Sequence, residues 1–220
     1  MTERVQKTLT FLNEQFDACR YFKEHPSEKN YRREHSVRVA RICAQIAQAE
    51  GMDEEAATIA GLLHDVGYGQ DFPADYEWKN HGRDGAKIAR PFLKTLDLPE
   101  ELVNDICYAI AIHVDDRADF EGRRTPFTES AGDADNIDRF DAWRIYETVR
   151  YQACLEEKAL PEKLKWIQER LGYLEKLSRI EFSTSAATAM WRDKVEFQTQ
   201  FFDRLLAQME LSCLPEETEE

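Results

Sequence analysis

The stretch Gly61-Leu-Leu-His-Asp-Val-Gly67 ends a strongly apolar run of the chain and places His64 next to Asp65. The residues from Asp53 onward repeat apolar side chains at helical spacing, so this pair is predicted to lie at the end of a buried helix. An unpaired carboxylate costs several kcal/mol in such surroundings. A divalent cation would neutralise Asp65 and accept a lone pair from His64. The stretch therefore predicts a metal site.

Further candidate ligands lie in distant parts of the chain. His35 is upstream, His81 and His113 are downstream, and an acidic run follows at Asp133-Ala-Asp-Asn-Ile-Asp138. A histidine that points inward is, taken alone, more often a satisfied core residue than a ligand. Because these candidates accompany the His64-Asp65 pair, they favour one metal site assembled from several helices.

This order of histidine, His-Asp pair and later acid resembles the HD-domain superfamily of metal-dependent phosphohydrolases. The resemblance covers roughly residues 31–151. It implies a helical fold and a metal held by residues that are well separated in sequence. At the matching positions these ligands are His35, His64, Asp65 and Asp135, with Asp133 as the competing choice for the last one.

The segment Asn80–Ala86 is also similar to the small-enzyme branch of that family, in which a histidine such as His81 follows the His-Asp loop. Members with an extended histidine set hold two metals, whereas many with a short loop hold one. We expect one ion here, because the loop 67–80 is short and acidic and no paired histidine accompanies His113. His81 and His113 would then face the attacking water or a phosphate oxygen. Alternatively, His81 caps a helix and His113 merely ends one.

Nitrogen and carboxylate ligands of this kind suit Mn²⁺, Fe²⁺, Ni²⁺, Co²⁺ or Zn²⁺ better than Ca²⁺, and Mg²⁺ is a further candidate. A bound cation lowers the pKa of its water from about 16 to around 7 and polarises a phosphoryl oxygen. The sequence thus predicts a phosphomonoesterase or phosphodiesterase that acts on a small nucleotide or related phosphate ester. Asp65, His81 and His113 are its candidate catalytic residues.

Arginines near these motifs are candidates for binding the substrate phosphate, because a guanidinium can contact two phosphate oxygens at once. Arg139 and Arg83 are the choices, although most such arginines are solvated charges. Aromatic residues between Tyr68 and Trp78 either form a wall for a base or fasten the loop. Two other functions remain open, namely a di-iron oxygenase of the HD type and a non-catalytic nucleotide-binding module.

Apolar spacing predicts an all-α fold, an HD-like bundle with additional C-terminal helices. One domain is expected over residues 1–220, with the HD-like core at about 31–151 and helices from 152 to 214 packed on it. The last two long helices are predicted at 160–180 and 186–211. Pro91 is expected to kink or split its helix, and Thr128 to cap the helix that carries the acidic run.

The net charge of −14 argues against binding nucleic-acid polymers through a broad basic face. No apolar run approaches about 18 residues, so a membrane span is not expected. The five cysteines are widely spaced without a CxxC pair, and they are interpreted as reduced core thiols of a cytoplasmic protein. The oligomeric state is open and a homodimer is compatible with the sequence. The acidic end 216–220 is expected to be disordered.

Overall fold

Helices form all the regular structure in the computed structural model, which describes residues 1–152 and 155–213. No strand occurs in these two ranges, so the predicted all-α class is confirmed. The helices in chain order are α1 (Glu3–Ala18), α2 (Arg20–Glu24), α3 (Pro26–Glu50), α4 (Glu54–Leu63), α5 (His81–Leu93), α6 (Glu100–Ile112), α7 (Pro126–Asp138), α8 (Ala142–Glu147), α9 (Leu160–Leu177) and α10 (Ser185–Glu210).

The chain divides into two compact units. The first comprises residues 1–138 with 182–187, and the second comprises residues 139–181 with the chain from 188 onward. Every histidine of the sequence and every expected metal ligand falls in the first unit. The expectation of one domain over the whole chain stays a prediction.

In the first unit, α3 packs against α4 and α7, and α5 packs against α6. Gly61 permits the close approach of α3 and α4, because a Cβ atom there would lie 2.6 Å from the Cα of Ala40. The core beneath these contacts contains fully buried side chains such as Leu12, Leu63 and Ile110. Burial of this apolar surface holds the ends of α3, α4 and α6 in fixed relation.

Local signals account for several helix ends. Gly51 ends α3 with a left-handed φ of 68°, and Asp53 caps α4 by accepting a hydrogen bond from the backbone N–H of Ala56 at 2.9 Å. The prediction that Thr128 caps α7 is wrong. The helix begins at Pro126, whose ring suits the first turn, and Thr125 Oγ1 accepts the backbone N–H of Thr128 at 3.2 Å.

Pro91 does not split its helix, since α5 runs from His81 to Leu93. The proline lies in the last turn, so the one backbone hydrogen bond that it cannot donate is lost only at the end of the helix, and a 3₁₀ turn continues through Lys94–Leu96. The segment between Asp65 and α5 holds two further 3₁₀ turns, Val66–Gly69 and Trp78–Asn80.

The second unit consists of α8, α9 and most of α10. Its interior includes the buried side chains of Ile167, Leu174 and Phe202. The indole Nε1 of Trp191 donates to the carbonyl of Leu177 at 2.8 Å. The two long C-terminal helices were predicted within a few residues of their observed bounds.

Cys19, Cys43 and Cys107 are buried free thiols, as expected, but Cys213 is exposed and is not a core residue. Cys154 and the acidic end 216–220 lie outside the described residues. None of the helices in the described ranges is both long enough and apolar enough to cross a bilayer.

Candidate metal centre

Helix ends and one mid-helix position bring the predicted ligands together. His35 lies inside α3, His64 is the C-cap of α4 with Asp65 directly after it, and Asp135 lies in α7. All four side chains are buried. Four ionisable groups share this interior although a hundred residues separate the first from the last.

His35 and its neighbours form one half of the cluster. Its Nε2 atom lies 3.0 Å from Asp135 Oδ1, 3.3 Å from His64 Nε2 and 3.7 Å from Asp65 Oδ2. Imidazole nitrogens bind a cation such as Zn²⁺ at about 2.0–2.1 Å, so two of them on one ion are roughly 3.0–3.4 Å apart. The spacing of the two Nε2 atoms therefore suits a shared ion.

His81 and His113 form the other half, around the second oxygen of Asp65. Their Nε2 atoms are 3.2 Å apart, and they lie 3.3 and 3.6 Å from Asp65 Oδ1. His81 is the first residue of α5, and His113 is the C-cap of α6. The carboxylate of Asp65 thus stands between two pairs of histidines, with one oxygen toward each pair.

Backbone carbonyls fix the tautomer of three rings. The Nδ1–H groups of His64 and His113 donate to the carbonyls of Gly61 and Ile110, both at 2.7 Å, and that of His81 donates to a carbonyl three residues back as well. The Nε2 atoms therefore carry lone pairs that face the cluster. Burial lowers the pKa of His64 to about 4, which keeps this ring neutral as a metal ligand must be.

His35 is oriented differently, by Asp138. Its Nδ1 lies 2.8 Å from Asp138 Oδ2, and Arg38 holds the same carboxylate with two hydrogen bonds of 2.7 and 3.0 Å. Burial lowers the pKa of His35, but the hydrogen bonds to Asp135 and Asp138 outweigh it and raise the pKa to about 9. A carboxylate behind a histidine is a common device for orienting a ligand.

Asp133 has a different role from its neighbours in the acidic run. Its Oδ2 atom accepts the backbone N–H of Ser183 at 3.2 Å and also the Ser183 hydroxyl, so the side chain is turned toward Ser183. Asp135 is the acid of α7 whose oxygen contacts His35 Nε2. This geometry favours Asp135 over Asp133 as the ligand from α7.

Sequence reasoning missed Arg32. Its Nη1 atom donates to Asp65 Oδ2 at 2.9 Å, and its guanidinium carbon lies 3.7 Å from the centroid of the Tyr68 ring. Burial raises the pKa of Asp65, but neighbouring His64, His113, His81 and Arg32 outweigh it, so the net pKa lies well below its usual range. Arg32 stands three residues before His35 on one helical face, and that spacing is the signal that could have found it.

Arg83 and Arg139 are the two arginines chosen from sequence for the substrate phosphate. Arg83 donates to Asp115 Oδ1 at 2.8 Å and to Asn80 Oδ1 at 2.5 Å, and it lines an open groove of about 960 Å³ that also contains Arg117. Arg139 belongs to the second unit. Their assignment to the substrate phosphate stays a prediction.

The donor set fits a divalent cation. Among the described residues, two groups of ligand atoms lie within 4.8 Å of one another, namely His35 with His64 and Asp135, and His64 with Asp65 and His113. Imidazole Nε2 atoms that converge beside carboxylates form a donor set suited to a divalent cation. The arrangement could hold a metal and bring a phosphate ester to it.

Comparison with known proteins relates the chain to one family. The sequence model described as HD domain matches residues 32–143, about half of the chain. The chain is 36% identical over 83 residues to ribonuclease Y of Oleidesulfovibrio alaskensis, and 43% identical over 58 residues to ribonuclease Y of Mycoplasma mycoides. These matches cover 38% and 26% of this chain but only 14% and 13% of the relatives, so the chain corresponds to a small part of their length.

A solved structure extends the likeness to nearly the whole fold. The crystal structure of a predicted HD superfamily hydrolase from an uncultured Thermotogales bacterium matches with a TM-score of 0.61, covering 92% of this chain and 91% of that one at 23% identity. At this identity the match shows the fold alone. With the family match over residues 32–143, it follows that the chain belongs to the HD domain family of metal-dependent phosphohydrolases.

Proposed function

We propose that the chain hydrolyses a phosphate ester of a small molecule, such as a nucleotide, with the help of a divalent metal held by His35, His64, Asp65 and Asp135. The observation that carries the proposal is the central position of Asp65, whose two oxygens face separate pairs of histidines at 3.3–3.7 Å. A buried acid so surrounded is suited to holding a cation.

The geometry favours two adjacent ions over the one expected from the short loop. His81 and His113 have the mutual spacing of ligands on one cation, and they lie near Asp65 Oδ1, whereas His35 lies near Oδ2. A second divalent ion would be held by His81, His113 and Asp65.

The metal would supply an activated water and polarise the phosphoryl oxygen. The chain's own residues would do the rest. Asp65 would supply a negative charge between the two histidine pairs, and Asp138 would keep His35 in its binding orientation. Arg32, already beside Asp65, would contact a phosphate oxygen, a task for which a planar guanidinium is well shaped.

A small substrate is proposed in preference to an RNA chain, although the curated relatives are named ribonucleases. The formal charge of −14 provides no broad electrostatic attraction for a polyanion. An RNA oligonucleotide therefore belongs in the substrate screen as a competitor. The di-iron oxygenase remains the second candidate, because four histidines surround Asp65; two bound irons together with oxygen consumption would favour it.

The test is metal identification followed by a substrate screen. Full-length protein purified without chelator is analysed by plasma emission, then loaded with Mn²⁺, Co²⁺, Ni²⁺, Fe²⁺, Zn²⁺ or Mg²⁺ and assayed with nucleoside monophosphates, cyclic nucleotides and simple phosphomonoesters. His64→Ala should reduce bound metal and turnover together. His25→Ala is the matched control, because His25 is an exposed histidine whose ring, among the hydrogen bonds described, contacts only the carbonyl of Tyr21.

Retention of full metal occupancy in His64→Ala would contradict the proposed centre. Absence of turnover with every metal and every phosphoester would contradict hydrolysis, and tight nucleotide binding without turnover would favour the non-catalytic module. His113→Ala reports on stoichiometry, since it should lose one of two ions if the site is dinuclear and none if it is mononuclear.

A further inference from the structure

A pocket of about 510 Å³ lies beside the proposed metal centre, entirely within the first unit. Aromatic side chains make up much of its wall, which includes Tyr21, Phe22, Tyr68, Phe72 and Trp78. Pockets of a few hundred Å³ with apolar walls and a few charged groups are typical small-molecule sites.

Two residues of this wall also contact the metal cluster. Arg32 lines the pocket and donates to Asp65 Oδ2 at 2.9 Å. Tyr68 lines the pocket too, and its ring centroid lies 4.5 Å from that of His81. Arg32 and Tyr68 therefore connect a ligand in the pocket to residues of the proposed metal centre.

The aromatic wall is more open than packing alone would require. Trp78 is 58% exposed and Tyr21 is 44% exposed, although both are large apolar rings that usually lose more solvent contact. The rings of Tyr68 and Trp78 are nearly parallel, 26° apart with centroids at 5.8 Å, so their faces have similar orientations. The exposed ring of Trp78 provides a face on which a flat group can stack, in an orientation similar to that of the Tyr68 ring.

Charged groups at the same pocket match the edges of a flat heterocycle. Glu24 and Asp71 line it, as does Arg20. Carboxylates accept hydrogen bonds from ring N–H and exocyclic amino groups, and a guanidinium donates to carbonyl groups. A purely hydrocarbon ligand would form no hydrogen bonds with these charged groups.

We propose that this pocket binds the nucleobase of a mononucleotide substrate, with Arg32 joining the base-binding and phosphate-binding halves of the site. The proposal rests on the function proposed above, because the phosphate is what the metal centre would act on. The guanidinium of Arg32 lies over the Tyr68 ring and, through its Nη1 atom, also donates to Asp65. Trp78 and Tyr68 would then be specificity-determining residues, and a phosphoester without an aromatic group would not use them.

The experiment compares a ligand with a base and one without. Wild-type protein, Trp78→Ala and Trp78→Phe are loaded with the best metal, and kcat/KM is measured for AMP and for glycerol 2-phosphate. Trp78→Ala should lower the ratio of the two values by about tenfold to a hundredfold, as expected for removing one stacking ring. Trp78→Phe should restore most of the ratio. Trp143→Ala is the control, because Trp143 is exposed to a similar extent but lies in α8 of the second unit.

Adenosine supplies a readout that does not depend on hydrolysis. Binding should change the tryptophan fluorescence of the wild type and of Trp143→Ala, and this change should be lost in Trp78→Ala. If adenosine binds but no phosphoester is turned over, the pocket proposal holds and the hydrolytic function fails. If phosphoesters are hydrolysed and Trp78→Ala leaves the AMP to glycerol 2-phosphate ratio unchanged, the pocket proposal is overturned while the function stands.

Discussion

His35 differs from the other histidines of the cluster in that two carboxylates share its ring protons. Asp138 accepts from Nδ1, and Asp135 lies 3.0 Å from Nε2, which raises the pKa of His35 to about 9. A metal can bind Nε2 only after its proton has left. We predict that uptake of Mn²⁺ at pH 7 releases about one proton from His35, and that this release disappears as the pH rises through 9.

Calorimetric titrations in two buffers of different ionisation enthalpy measure this release. Asp138→Asn removes a charge that favours the protonated ring, so fewer protons should be released at pH 7. No proton release at pH 7 would contradict the prediction. The raised pKa of His35 also stabilises the fold in the absence of metal. This contribution to the free energy of unfolding is on the order of 3 kcal/mol. It is fully present below pH 6.5, the pKa of the ring in the unfolded chain, and it is lost as the pH rises through about 9.

At the scale of single residues, the sequence predicts the candidate ligands that belong to the motif. His64 and Asp65 adjoin each other, and His35 lies on an apolar helical face, so their convergence follows from helix geometry. The contact between Arg32 and Asp65 depends on how α3 packs against α4, which residue types alone do not specify. Arg83 was chosen as a phosphate ligand because it lies near His81 in the sequence. In the structure its guanidinium forms an ion pair with Asp115.

Glycines govern how closely the elements that carry the ligands approach one another. A Cβ at Gly67 would lie 2.2 Å from the carbonyl oxygen of His81, a contact with rigid backbone. We predict that Gly67→Ala moves His81, lowers stability by about 1–3 kcal/mol and weakens metal binding. Urea unfolding and metal analysis of the purified variant check the two effects.

Gly172→Ala is the matched control, since nothing lies within 4 Å of a Cβ at this position in α9. There alanine should instead stabilise the helix by about 0.5–1 kcal/mol and leave metal content unchanged. If Gly67→Ala behaved like Gly172→Ala, the close packing of the 3₁₀ turn against α5 would have no bearing on the site.

The start of α10 is held by Glu50, the last residue of α3. Its Oε1 atom accepts the Ser185 hydroxyl at 2.9 Å and the backbone N–H of Ala186 at 2.7 Å. A carboxylate that satisfies free N–H groups at a helix start stabilises by about 0.5–2 kcal/mol. Glu50→Ala should therefore lower the urea midpoint of the protein, whereas Glu50→Gln should retain part of the effect. Equal midpoints for Glu50→Ala and wild type would contradict this role.

The ends of elements were predictable where a residue type favours one kind of helix end. Gly51 and Asp53 marked the end of α3 and the start of α4 correctly. Thr128 was predicted as the cap of α7, but Thr125 precedes the helix, because Pro126 favours the first turn that follows Thr125. A carboxylate from a distant helix that caps a helix start, as Glu50 does for α10, leaves no pattern in the sequence around that start.

For the whole molecule, the clustering of ionised groups makes stability depend on metal. A ligand that binds only the folded state stabilises it by about 2.7 kcal/mol at a concentration a hundred times its Kd. We predict that saturating Mn²⁺ raises the melting temperature by several degrees, and that His35→Ala removes most of this increase. Differential scanning fluorimetry measures both, and an equal increase in His35→Ala would place the stabilising ion elsewhere.

Calorimetry also addresses the predicted single domain. One cooperative transition, moved as a whole by metal, would support one domain over residues 1–220. Two transitions, of which metal moves one, would show that the two compact units unfold separately. The sequence could not decide this, because long amphipathic helices such as α9 and α10 form in either case.

Two helices end at the cluster, α4 with His64 as its C-cap and α6 with His113. The end of each helix carries about half a negative charge from its aligned peptide dipoles. Together with ionised Asp65, these ends place negative charge at the cluster, and in the absence of metal Arg32 and the protonated ring of His35 oppose it. A divalent cation adds the positive charge that favours a phosphate, so we expect the cation to enter first and the phosphate ester to follow. Phosphate affinity would then rise with the fraction of chains that carry metal, and chelation would abolish it without unfolding the bundle.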